Sequence, residues 1–167
     1  CGAGGAGKGY ADAGFEVVGI DLAPQPSYPF QFERSDALEY LLRFGAEFDF
    51  IHASPPCQRY SRASNSPGVE RLAHPDLLQP TRKALQRVGV PYVIENVPGA
   101  PMKSPKTLCG VMFGLRVLRH RLFESPLPLA APFHRRHKGV AGRKTGYSTL
   151  RNQAYVTVAG HSFSVKD

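Results

Sequence analysis

"CGAGGAGKGYADAGFEVVGID", residues 1–21, sets a glycine-rich turn, a short helical stretch and an apolar strand one after another. Gly2 to Gly7 fits G-x-G-x-x-G, and Gly2 to Lys8 fits the first seven positions of G-x-x-x-x-G-K-[ST]. Gly9 stands where a phosphate loop would carry a hydroxyl for Mg²⁺. "GYADAGF" reads as a helix ending at Gly14, and "FEVVGID", Phe15 to Asp21, as a strand with an acid at its carboxyl end. A glycine turn feeding a helix and then a buried strand is the rhythm of an α/β fold.

The same rhythm continues outward. "APQPSYPFQF" is a proline-rich connection, "DALEYLLRF" (Asp36 to Phe44) has helical apolar spacing, and "FDFIHAS" (Phe48 to Ser54) is a strand stopped by Pro55-Pro56. Residues 57–74 read as a long polar surface loop, "PDLLQPTRKALQRVG" as a helix starting near Pro80 or kinked there, and "VPYVIENV" as a third strand ending at Glu95. Beyond Val97 the text is rich in Pro and Gly, then strand-like at "LRHRLFES" and "AYVTVAG". Ligands of open α/β sheets lie beyond the carboxyl ends of the strands, so Asp21, the Pro55-Pro56-Cys57 turn and Glu95 are expected on one rim.

Charge is unevenly distributed. Of the net +8, residues 116–151 supply the whole excess, with nine Lys or Arg against Glu124 alone, while residues 1–115 balance. Such a patch suits contact with a polyanion, and equally a solvated basic face. The cysteines at 1, 57 and 109 form neither a CxxC pair nor a metal-ligand spacing, so a reducing cytoplasm and no metal are expected. No apolar run nears membrane-spanning length, and no membrane partner is expected. A glycine loop at the very start, with no strand before it, reads as a fragment lacking its first strand and its closing carboxyl-terminal segment.

Four stretches in order, "CGAGGAGKGYADAGF", "SPPCQRYS", "VIENV" and "RHRLFE", resemble the motifs of the DNA cytosine-5 methyltransferases. The resemblance covers roughly residues 1–125 and implies a Rossmann-like sheet with helices on both faces. It divides the chain into a catalytic core (1–125), a short basic target-recognition insert (126–154) and the start of a returning segment (155–167). The implied cofactor is S-adenosyl-L-methionine and the implied partner double-stranded DNA with a flipped cytosine, bound by a monomer. Transfer RNA is the alternative substrate, a non-catalytic binding remnant the alternative class, and a phosphate-loop nucleotidase the remote one.

The chemistry explains the residue types. Carbon 5 of cytosine becomes nucleophilic only after a thiol adds at C6, a role the resemblance gives to Cys57. Glu95 would hold a proton at N3, which calls for a pKa raised by burial. Arg121 would meet the cytosine O2 and Arg119 support the nucleophile loop, both projecting from one face of a strand. Gln58 and Ser61 are expected on the substrate side; so is Asn96, which also helps fix the loop. Arg135 and Arg136 are expected at backbone phosphates. For the cofactor, Gly2, Gly4, Gly5 and Pro55 would lie close to it, Asp21 would bind the ribose hydroxyls, and Asp36 would meet the adenine amino group or simply cap a helix.

Overall fold

The computed structural model describes residues 1–61, 74–134, 147–150 and 153–156. Three helices are present, α1 (Gly5–Asp12), α2 (Ala37–Phe44) and α3 (Leu78–Val88). The strands are β1 (Val18–Asp21), β2 (Gln31–Arg34), β3 (Ile51–Ala53), β4 (Tyr92–Asn96), β5 (Lys106–Cys109), β6 (His120–Glu124), β7 (Tyr147–Leu150) and β8 (Gln153–Val156). β1 and β2 pair in parallel, β3-β4-β6-β5 form a mixed sheet, and β7 and β8 form an antiparallel hairpin. Within the four-stranded sheet β3 and β4 run parallel, and β6 runs antiparallel to both its neighbours. The chain is therefore a mixed α/β protein.

Local chemistry explains most boundaries. α1 begins inside the glycine loop, earlier than the sequence suggests, because Gly4 takes a left-handed φ of 76° and turns the chain directly into the helix. α3 begins at Leu78, so Pro80 falls in its first turn, where the missing N–H has no intrahelical partner to lose and no bend is needed. Gly89 closes it with a left-handed φ of 79°. α2 starts where Asp36 Oδ1 accepts the Leu38 and Glu39 N–H groups, both at 2.9 Å. Asp36→Ala is expected to cost about 1 kcal/mol in a urea unfolding titration, the usual loss for an N-cap.

Strand register sorts the sheet's two faces. Ile51 and Ala53 on β3, Tyr92 and Ile94 on β4 and Glu124 on β6 share one face. Leu41 of α2 and Leu78, Ala84 and Leu85 of α3 pack there, forming the main core. His52 and Ser54, Val93 and Glu95, and Arg121 and Phe123 take the other face. α1 approaches that side: Tyr10 packs edge-on to His52 at 5.5 Å between centroids and contacts Phe15 and Phe50 at 6.0 and 5.7 Å. α2 and α3 thus pack on one face, and α1 reaches the other through Tyr10.

A buried ion pair crosses the core side. Arg82, 1% exposed, grips Glu124, 5% exposed, through Nε to Oε1 at 2.6 Å and Nη2 to Oε2 at 2.7 Å. The Lys103 N–H donates to the same carboxylate at 2.6 Å, and Arg82 Nη2 also reaches the Pro101 carbonyl at 3.1 Å.

Candidate active site

Two parts of the expected rim, the Pro55-Pro56-Cys57 turn and Glu95, lie at the ends of β3 and β4, with β6 beside them; the third, Asp21, ends β1 in a separate two-stranded sheet. Ala53 pairs with Ile94, so the next residues, Ser54 and Glu95, stand side by side, and Ser54 Oγ donates to Glu95 Oε2 at 3.4 Å. Glu95 pairs across the sheet with Phe123, which places Arg121 on the diagonal of the same face. Arg121 Nε lies 3.1 Å from Glu95 Oε1. His52 closes the other side, with Nε2 3.5 Å from Glu95 Oε2 and 3.0 Å from Ser54 Oγ. Its Nδ1 meets the Tyr10 hydroxyl at 2.8 Å. One continuous row of polar contacts therefore runs from α1 through β3 and β4 to β6.

This surrounding overturns one expectation. Burial pushes the Glu95 carboxyl up, yet the His52 hydrogen bond and the charges of His52, Arg121 and Arg119 outweigh it, and its pKa lies below the ordinary value. Glu95 is thus an anion in the ligand-free site. The same negative charge, added to burial, raises the Tyr10 hydroxyl. Burial and the neighbouring Arg119 charge lower the Arg121 guanidinium against the pull of Glu95.

Cys57 follows the Pro55-Pro56 stop in a tight turn, its carbonyl accepting the Tyr60 N–H at 3.0 Å and the Ser61 N–H at 2.9 Å. The cysteine is free and half-buried. Asn96, 3% exposed, holds the turn: Nδ2 donates to the Pro55 carbonyl at 3.2 Å while Oδ1 accepts the Val97 N–H at 2.9 Å. Both ends of its amide are engaged within the chain, so Asn96 shapes the loop rather than facing a substrate. Pro55 is buried as part of that anchor, not laid open to a cofactor, whereas Pro56 is exposed. Arg59 Nη1 ties the far side of the turn to the His74 carbonyl at 3.3 Å.

Ser61, Val97, Thr107, His120, Arg121 and Leu122 line an open cleft of about 500 Å³ beside this turn. Gln58 is half-buried in the turn itself. Arg119 lies one residue before β6, so it does not alternate with Arg121 on a strand as expected, though its charge acts on both Glu95 and Arg121. Arg135 and Arg136 lie outside the described residues, as does most of the 57–74 loop.

At the glycine loop the picture divides. Gly2, with φ 57°, and Gly5 are exposed, and a Cβ at either would meet nothing within 4 Å. Gly4 is different. A Cβ there would meet Pro29 Cδ at 2.7 Å, and the Tyr28 ring fills the space a side chain at Gly19 would need. Gly4 therefore serves the packing of the proline-rich connection and is closed to a ligand. Asp21, at the end of β1, accepts the Ala23 N–H through Oδ1 at 3.1 Å. Asp36 is exposed and acts as the α2 cap. Lys8 pairs with Asp12 on the surface of α1.

Tyr10, His52 and Ser54 are the site residues that sequence reasoning missed. The signal was present: His52 and Ser54 alternate with Ile51 and Ala53, so a polar face was legible once "FDFIHAS" was taken as a strand. Neither a scan of the chain against protein-family models nor a search of curated proteins finds a match. No helix among the described residues is long and apolar enough to cross a membrane.

Proposed function

We propose that this chain is the catalytic core of a DNA cytosine-5 methyltransferase that uses S-adenosylmethionine. The observation that carries the reading is the joint placement of Cys57, Glu95 and Arg121: a free thiol on the turn that follows β3 and is anchored by Asn96 of β4, with the Arg121–Glu95 pair on β6 and β4. The Rossmann-like arrangement is part of the same proposal. Two parallel pairs, β2-β1 and β3-β4, with α2 and α3 on one face and α1 reaching the other, fit a doubly wound sheet that carries one further parallel strand between β1 and β3.

The cofactor's requirements are met at part of the loop. Gly2 and Gly5 leave open backbone, and the Asp21 carboxylate at the end of β1 suits a ribose diol. Gly4 and Pro55 are not available to it. When bound, S-adenosylmethionine would supply an electrophilic methyl group on its sulfonium.

The chain's own residues prepare the cytosine. The Cys57 thiolate adds to C6, and the displaced electron pair moves through the ring toward C5 and N3. Arg121 exchanges its bond to Glu95 Oε1 for the cytosine O2. That exchange removes a charge that holds the Glu95 pKa down, so the carboxyl takes a proton as the base enters and shares it with N3. Ser54 and His52 keep Oε2 oriented meanwhile. After methylation a solvent water takes the C5 proton, the C5–C6 double bond re-forms, the Cys57 sulfur leaves as thiolate, and N3 returns its share of the proton to Glu95.

The test is an adduct assay. Duplex DNA carrying 5-fluorocytosine has no C5 proton to lose, so incubation with the chain and S-adenosylmethionine is expected to leave a protein–DNA band that survives denaturing electrophoresis. No band on any duplex, with an equivalent band on transfer RNA carrying the same base, would move the proposal to RNA; no band on either would overturn it.

A further inference from the structure

At the edge of the same cleft, three metal-ligating side chains converge from three segments of the chain. Cys109 ends β5 and pairs directly across the ladder with His120, the first residue of β6, so both side chains stand on the same face. His134 joins them from the irregular stretch after β6. The Cys109 sulfur and one nitrogen of each imidazole all lie within 4.8 Å of one another.

The two imidazoles are spaced as two ligands of one ion would be. The two Nε2 atoms are 3.2 Å apart, and the rings meet at 70° instead of stacking. Two nitrogens bound at about 2.0 Å to one tetrahedral ion stand about 3.3 Å apart, the edge of that tetrahedron. The Cys109 residue is 2% exposed, so its sulfur is held away from solvent. Sulfur and imidazole donors select zinc over the hard cations, which want oxygen.

We infer that Cys109, His120 and His134 form a zinc site, with the fourth position open to water. The site stands independently of the methyltransferase reading. Its effect would be structural: His134 is the last residue before the basic stretch that opens with Arg135 and Arg136, and the ion would clip that point to the β5–β6 pair. Thiol deprotonation on binding releases one proton to solvent, and no redox change is involved. The competing arrangement is a simple N–H···N hydrogen bond between the two imidazoles, with no ion.

Cobalt(II) reports the difference directly. Titrated into the chelator-treated chain, it is expected to give a saturable one-to-one spectrum with tetrahedral d–d bands and a thiolate-to-cobalt charge-transfer band, displaced by zinc(II). Cys109→Ser should remove the charge-transfer band. His134→Ala, outside the sheet, should weaken binding at least about tenfold, and Cys57→Ser should leave the spectrum intact. The inference is overturned by the absence of a saturable spectrum, by an unchanged titration in His134→Ala, or by loss of the spectrum in Cys57→Ser.

Discussion

Glu124→Ala is expected to destabilise the fold by about 3–5 kcal/mol, the usual cost of stranding one partner of a buried ion pair. The carboxylate accepts both Arg82 nitrogens and the Lys103 N–H, so its removal leaves a guanidinium at 1% exposure and a backbone donor without their acceptor. For a chain of this size that loss lowers Tm by roughly 10 °C or more. Arg82→Met combined with Glu124→Leu should recover most of it, because the penalty belongs to the unpaired charge rather than to the absence of the pair. The pH dependence has a definite sign. Burial raises the Glu124 pKa, but Arg82 and the Lys103 N–H outweigh it and set the folded value below the ordinary one. The stabilisation is therefore complete above the unfolded carboxyl pKa and is lost as pH falls through the lower, folded value. Urea midpoints across the acid range should fall for the native chain and run flatter for Glu124→Ala. An unchanged midpoint at neutral pH would show that the pair does not hold the sheet.

Cys57→Ala is expected to reduce methyl transfer to DNA by at least about a thousandfold, since without addition at C6 the ring offers no nucleophilic carbon. Cys57→Ser should fare little better, because a hydroxyl is scarcely ionised at neutral pH where a thiol is partly so. The half-buried turn residue carries no core packing, so the urea midpoint should stay within about 0.5 kcal/mol of the parent, as for surface changes. Activity lost without stability lost separates a nucleophile from a structural cysteine. Retention of activity in either variant would remove Cys57 from the chemistry.

What the sequence made legible follows from how local each signal is. α2 is carried by the Asp36 cap and an apolar stripe, and β4 by an unbroken apolar run, so both stand where the text puts them. β2 and β5 escaped because each is four residues long, sits at the edge of its sheet and lies in Pro-rich or Pro/Gly-rich text. The rim itself was readable from the ends of β3 and β4. Its electrostatics were not: the Glu95 pKa is drawn below its ordinary value by His52 and Arg121, neither of them near it in sequence. Arg82 and Glu124 are 42 residues apart, a pairing that no local pattern announces. Gly4 was misread for a related reason, since the group that comes close to it is Pro29 of the same chain.

The position of β6 has a consequence for the order in which the molecule is built. It is the last strand of the four to be synthesised, yet it lies between β4 and β5, which have no ladder in common without it. A nascent chain that has emerged only to residue 119 therefore holds Glu95 without Arg121, Arg82 without its carboxylate, and Cys109 without its cross-strand imidazole. One five-residue insertion brings Arg121 to Glu95, Glu124 to Arg82 and His120 to Cys109, so the rim and the buried pair mature in the same late step, while the candidate zinc site still waits for His134.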